Sequence, residues 1–208
     1  MATITRLVAQ GKNPDRANLY VDGAFFCAIS KVTALQHGLR VGVEIDEQQL
    51  HRIVFDSDKD GAFTYALNYI SRYAPTCRKL TEKLYEKGYG QAVVTHVIEQ
   101  AKRYRYIDDM QWAQSYVALH GNIKGKTRLR AEMKSKGIDD AIIEQALQGM
   151  QRDTFLDGAL QAARKHARGQ DLDDPAYRAK LGRFLTYRGY SWEEINDCIR
   201  ILREENKA

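Results

Sequence analysis

LRAEMKSKGI, residues 129–138, is one of three versions of a single pattern: LTEKLYEKGY occupies residues 80–89 and LGRFLTYRGY residues 181–190. Each version has a Leu, an apolar residue four positions later, and a basic residue followed by Gly and a further apolar residue. The versions recur roughly every fifty residues, a period typical of tandem arrays. Leu80/Leu129/Leu181 and Leu84/Met133/Leu185 lie four apart and share one face of a helix. Beyond the glycines, Val94/Ile143/Ile195, Val97/Ala146/Cys198 and Ile98/Leu147/Ile199 fall at i, i+3 and i+4 of a second helix. Between the two helices, Gly88, Gly137 and Gly189 supply the left-handed residue that closes a helix. Lys87, Lys136 and Arg188 place a cation at the negative end of the helix dipole.

A third helix precedes each pair. Tyr65, Ala66, Tyr69, Ile70 and Tyr73 have helical spacing before the break at Pro75, and Thr76 is placed to cap the next helix. Trp112, Ala113, Tyr116 and Val117 mark the corresponding helix of the second unit, from Met110 to about Leu119; Ala159 to about Ala167 does so in the third. The expected fold is mainly α, with three tandem three-helix repeats at 61–108, 109–157 and 158–208. Residues 1–60 read differently. Thr3–Ala9 and Leu19–Ile29 are rich in β-branched and aromatic residues, and Asp22-Gly23 divides the second run as a hairpin turn does. A three-stranded antiparallel sheet is expected at 3–9, 17–21 and 24–29, with loop Gly11–Asp15 after the first strand. Two short helices follow, one after Ser30 and ended by Gly38, the other opened by Asp46 and Gln49 as a capping box. The polar stretch Asp56–Gly61 reads as the boundary to the repeats.

The 44% hydrophobic content can supply cores for this length, and no apolar run approaches that of a membrane-spanning helix. Met1-Ala2-Thr3-Ile4 lacks the regions of a secretory signal. Cys27, Cys77 and Cys198 are odd in number and lack metal-like spacing, which fits a reducing, cytoplasmic location. The net charge of +5 points to a polyanion or an acidic protein surface. The first sixty residues carry seven basic and eight acidic groups, so the excess belongs to the repeats.

Catalytic chemistry has no visible home. The five histidines are scattered, and neither a phosphate-binding glycine loop nor a dinucleotide fingerprint is present. Asp108-Asp109, Asp139-Asp140 and Asp171 with Asp173-Asp174 open predicted helices, where carboxylates cap free N–H groups, and read as caps rather than as magnesium ligands. No enzyme activity, cofactor or metal is expected. The aromatic residues of the repeats, Tyr187 and Trp192 among them, read mostly as helix-packing groups.

A charge stripe is more selective. Lys124–Lys136 holds six basic residues against one acidic residue, Glu132, and Lys126, Arg130 and Lys134 lie four apart on one helical face. The repeat does not require them, because Cys77, Thr81 and Tyr85 stand at the matching positions of the first unit, and Arg178, Gly182 and Thr186 at those of the third. Like charges at this spacing repel, so they need compensation. The stripe reads either as a solvated face or as a contact for nucleic-acid phosphate or an acidic protein groove.

Together these residues resemble the RecX family, regulators of the bacterial RecA recombinase. The resemblance rests on Ala66-Leu67-x-x-Ile70-Ser71, Leu80-x-x-Lys83-Leu84-x-x-Lys87-Gly88, Tyr106-Ile107-Asp108-Asp109 with Ala113, and Gly125-x-x-x-Leu129-x-x-x-Met133-x-x-Lys136-Gly137-Ile138. The hairpin around Tyr20-Val21-Asp22-Gly23 resembles the amino-terminal extension of longer members. One departure is Thr76-Cys77-Arg78, where family members usually carry Ser and an acidic residue. The resemblance implies a curved, non-enzymatic array that binds the RecA filament on single-stranded DNA and suppresses ATP hydrolysis and strand exchange. A basic module that binds nucleic acid without RecA is the alternative. On either reading Lys124, Lys126, Arg128, Arg130 and Lys134, with Lys180 and Arg183 of the third unit, are the expected partner contacts. No membrane partner is expected, and the protein is expected to act as a monomer.

Overall fold

Alternation along Arg16–Val21 turns Ala17, Leu19 and Val21 to one side, where all three are buried. This strand, β2, pairs antiparallel with β1 (Ala2–Ala9) and β3 (Ala24–Ser30). Asp22 and Gly23 join β2 to β3 with φ of 50° and 85°, the double left-handed turn expected of Asp-Gly. The computed structural model describes residues 1–11, 14–149, 152–168 and 170–206, so Lys12 and Asn13 of the expected first loop lie outside the described residues. The sheet has four strands rather than three. Glu44–Ile45, β4, pairs with Ala2 and Thr3, giving the order β3-β2-β1-β4. Two residues are too few to show a period, which is why the sequence pattern misses this strand.

After the sheet come α1 (Lys31–Gln36), ended by Gly38 as expected, and α2 (Glu47–Tyr73). Ser30 occupies the N-cap position of α1 without a side-chain cap bond, whereas the Asp46 carboxylate accepts the Gln49 N–H at 3.0 Å. The 27 residues of α2 are uninterrupted, so the helix opened by Asp46 is long where a short one was expected, and it runs on through the polar stretch Asp56–Gly61. Lys59 pairs with Asp56 on the outer face, while Asp58 turns inward at 2% exposure. There Arg16 of β2 grips both Asp58 oxygens at 3.0 and 2.8 Å, donates to the Ala28 carbonyl at 2.8 Å, and lies over the Tyr89 ring. The polar stretch is therefore the place where one helix passes between two cores. Leu50, Ile53 and Val54 belong to the sheet core, with Ile4, Leu19 and Ile29. Ala62 and Ala66 belong to the first three-helix core, completed by α3 (Cys77–Glu86) and α4 (Gln91–Arg103).

The described residues form two compact units, Met1–Ile107 and Asp108–Ala208. The second contains α5 (Asp109–His120), α6 (Lys126–Ser135) and α7 (Asp140–Gln148), followed by α8 (Arg152–Ala167), α9 (Pro175–Tyr187) and α10 (Trp192–Glu205). Three of its aspartates cap helices, Asp108 accepting from Met110 and Gln111, Asp139 from Ala141, and Asp174 from Ala176 and Tyr177, whereas Asp171 accepts the Asp173 N–H in the turn before α9. Ser191 and Glu194 form a reciprocal capping box at α10. Among the described residues no group of three or more His, Cys, Asp or Glu could hold a metal ion, and no helix is long and apolar enough to cross a membrane.

The three glycine turns take one form. Gly88, Gly137 and Gly189 have φ of 88°, 83° and 87°. The N–H of the next residue reaches back to Leu84, Met133 or Leu185, and the glycine N–H to Tyr85, Lys134 or Thr186. This paired closure is the Schellman motif, and it explains why the pattern returns with its spacing intact. Leu80, Leu84, Leu129, Met133, Leu181 and Leu185 are fully buried, each worth roughly 1.5–3 kcal/mol of transfer free energy. The α8 helix starts earlier than its apolar spacing indicates, and Phe155 in its first turns fills the core formed by α5, α6 and α7.

Candidate partner-binding surface

The α6 helix is anchored at its start by backbone, without help from a capping side chain. The Gly125 N–H donates to the Arg188 carbonyl at 3.0 Å and the Thr127 N–H to the Gly189 carbonyl at 3.2 Å. The Arg188 guanidinium reaches the Ile123 carbonyl at 3.4 Å. A Cβ on Gly125 would lie 2.1 Å from the Gly189 oxygen, and one on Gly189 would lie 2.4 Å from the Arg128 nitrogen. Gly158 of α8 sits as closely under Asn122, whose carbonyl oxygen would be 2.5 Å from an added Cβ. Three missing side chains thus let α6, the loop before it, α8 and the turn after α9 meet backbone to backbone. Gly189 serves both the repeat turn and this contact.

The cations of α6 are placed differently from one another. Lys124 and Arg128 converge on Glu132, at 2.6 and 3.0 Å, and Tyr116 donates its hydroxyl to the same carboxylate at 2.7 Å. Burial pushes the Glu132 carboxyl up, but Lys124, Tyr116 and Arg128 outweigh it and hold the group at about 2. Arg130 donates to both oxygens of Glu144 at 2.6 and 2.9 Å, and Lys134 to Asp140 at 2.8 Å. Lys126 lies 5.1 Å from the centre of the Phe155 ring. The stripe is thus not the uncompensated row of charge that α6 alone suggests. Asp140 and Glu144 of α7 stand four apart, as the cations do, and this matching spacing is the sequence signal that identifies the compensation. Five cations face three carboxylates, leaving an excess of two positive charges.

The two kinds of pair differ in strength. Both side chains of the Lys134–Asp140 pair are about two-thirds exposed and those of Arg130–Glu144 nearly half, so solvent screens them and they can exchange partners at little cost. The Glu132 cluster is more enclosed and fixes the helix. Its pH dependence follows from the lowered carboxyl. Stability from Glu132 is fully present above its ordinary value of 4.5 and is lost as pH falls towards about 2. Glu132→Gln should remove on the order of 2 kcal/mol at neutral pH, discounted for solvent contact, and flatten the acid limb of stability between about pH 5 and about pH 2. Denaturant unfolding across that range checks both.

Arg183 and Lys180 are exposed on α9. Arg183 lines a groove between α9 and α10, together with Arg178, Arg200, Arg203 and Trp192. Lys180 lines neither this groove nor the next one, which runs from Arg128 and Glu132 to Tyr187 and Gly189. Thr186 borders both grooves, so Arg128 and Arg183 belong to a continuous surface. Tyr187 and Trp192 are 78% and 74% exposed, which corrects their reading as helix-packing groups. Arg128 lies 5.3 Å from the Tyr187 ring centre. Sequence spacing does not mark these two rings as surface residues, because each stands two positions from a buried residue, Leu185 or Tyr190.

The cysteines offer no nucleophile at this surface. Burial pushes the thiols of Cys27 and Cys198 up to about 12, so both stay protonated at neutral pH.

Tandem three-helix domains that follow a small antiparallel sheet in the chain, with a basic face built on a glycine seam, define a helical-repeat protein. Four family profiles match along the chain: the regulatory protein RecX N-terminal domain at residues 2–46 and the first, second and third three-helix domains of RecX at 62–100, 108–147 and 153–199. The regulatory protein RecX of Bacillus cereus strain B4264 is 30% identical over 99% of this chain and 78% of its own length. That of Clostridium acetobutylicum is 29% identical over 98% of each chain. A crystal structure of regulatory protein RecX superposes with a TM-score of 0.65 and 27% identity, covering 96% of this chain and 99% of that one. The crystal structure of RecX from Lactobacillus salivarius gives 0.66 and 26%, covering 70% and 97%. The chain belongs to the RecX family of regulatory proteins.

Proposed function

We propose that the protein inhibits the RecA recombinase by binding the RecA filament on single-stranded DNA, suppressing ATP hydrolysis and strand exchange. The reading is carried by the α6 face: exchangeable cations on a helix whose position is fixed by the Gly125–Gly189 seam. Lys126, Arg130 and Lys134 meet acidic groups of the filament, with Lys124 and Arg128 held behind them by Glu132 and with Arg183 and Lys180 extending the contact along α9. Exposed pairs such as Arg130–Glu144 trade an internal carboxylate for one on the partner, so the cost of desolvation is small.

Replacing Lys126, Arg130 and Lys134 together by Ala should raise the concentration needed for half-inhibition of RecA ATP hydrolysis on the order of tenfold, with helical circular dichroism unchanged. Asp140→Asn with Glu144→Gln frees the same cations and should leave inhibition equal or stronger. Inhibition by the triple-Ala variant at wild-type concentration removes this surface from the contact.

A further inference from the structure

The unit Met1–Ile107 has a second surface, separate from the α6 face. Tyr65, Tyr69 and Tyr73 stand one helical turn apart along α2, with neighbouring ring centres at 6.3 and 4.7 Å. The first two rings pack partly on the three-helix core, but Tyr73 leaves it and is 64% exposed. A protein that needed these rings only for its core would have no use for the third. They line a groove formed with the ends of β1 and β2 and with α3, and Arg72, Lys83 and Lys87 border it. Lys87 lies 5.1 Å from the Tyr65 ring centre, and Lys83 pairs with Glu86, the one acidic residue among the described residues lining the groove. Gln10, Asn18 and Asn68 contribute amides.

Among the described residues lining this groove, no aliphatic side chain is larger than that of Ala9. The pocket for an apolar peptide anchor is therefore missing. A ligand meets rings, amides and cations, which suit base faces, base edges and phosphates respectively. We infer that the Tyr65–Tyr69–Tyr73 ladder is a binding site for single-stranded nucleic acid, with bases stacking outward from Tyr73 and the backbone following Arg72, Lys83 and Lys87. The site lies in a different unit from the α6 face, and the inference does not rest on the RecA reading.

Fluorescence anisotropy with labelled oligothymidylate of about 16 nucleotides, without RecA, tests it, since sites of this kind span roughly 4–16 nucleotides. Oligouridylate and a duplex of equal length form the comparison arms: DNA and RNA single strands distinguish the two sources, and the duplex should bind more weakly. Tyr73→Ala should weaken single-strand binding on the order of tenfold, and Tyr73→Phe should keep it within about twofold, because stacking needs the ring and not the hydroxyl. Lys87→Ala should weaken binding and lower the salt slope by about one. Tyr69→Ala adds to the loss but also touches the core, so the exposed Tyr73 carries the test.

Four results overturn the inference. One is wild-type affinity in Tyr73→Ala. Another is equal loss in the Phe and Ala variants. The third is no single-strand binding by the wild-type protein, which with a Tyr73→Ala effect confined to RecA assays identifies the ladder as a protein contact. Loss of oligonucleotide binding in the Lys126/Arg130/Lys134 variant, with retention in Tyr73→Ala, also overturns it.

Discussion

Gly189→Ala is expected to destabilise the unit Asp108–Ala208 by about 3–5 kcal/mol, while Gly88→Ala, at the same position of the first repeat, costs only about 1–2 kcal/mol. Both glycines have left-handed backbone, with φ of 87° and 88°, so the conformational penalty is shared. The surroundings differ. A Cβ on Gly88 would meet only the Ala28 methyl at 3.8 Å, an ordinary contact. On Gly189 it would lie 2.4 Å from the Arg128 nitrogen and 2.5 Å from the Arg128 Cβ, and backbone cannot step aside as a flexible side chain can. Gly125→Ala isolates the steric part, since Gly125 has φ of −76° and carries no conformational penalty. Denaturant unfolding of the three variants measures the difference. Equal losses at Gly88 and Gly189 would show that the seam does not hold α6.

The second large effect is at Arg16 and Asp58. Asp58→Ala leaves a guanidinium that is 14% exposed without its counter-charge, and such a loss typically costs about 3–5 kcal/mol. The pair itself is not an efficient source of stability. Burial, the larger influence, raises the Asp58 carboxyl, and the hydrogen bond and charge of Arg16 offset this only in part. A carboxyl raised in the folded state gives stability that is present below its unfolded value and lost as pH rises through the folded one. Ionised Asp58 therefore weighs against folding at neutral pH, and the buried Arg16 Nε has no hydrogen-bond partner among the described residues. The double variant Arg16→Met/Asp58→Leu should accordingly recover most or all of the loss. Thermal unfolding of Asp58→Ala and the double variant tests the pair, and an equally unstable double variant would count against this account.

These two sites also mark where the sequence could and could not be read. The repeat was legible because Leu129, Met133, Gly137 and Ile138 interact within about two and a half turns of helix, so their spacing carries the whole interaction. Thr76, Asp108 and Asp174 were equally legible as caps, since each bonds within three residues of itself. Asp58 was not, because its partner is 42 residues away and a run of polar residues looks like a loop until that partner is known. Gly125 was visible as part of the family pattern, yet its reason, the carbonyl of Gly189, belongs to another repeat. At the candidate surface, α6 gave the cations in full. The acids that accept Arg130 and Lys134 stand on α7 at the matching four-residue spacing, and the packing of the two helices decides which cation each accepts.

The continuity of α2 sets how the amino-terminal half of the protein comes apart. Leu50, Ile53 and Val54 close the sheet core, Ala62 and Ala66 close the first three-helix core, and no joint lies between them. Opening either core strips one end of a helix that the other requires, and it also parts Arg16 from Asp58. Sheet and first repeat are therefore expected to open as one cooperative block, with amides that exchange slowly through Asp56–Gly61 without a gap, which native-state hydrogen exchange checks. The most hydrophilic segment of the helix is the bond between its two halves.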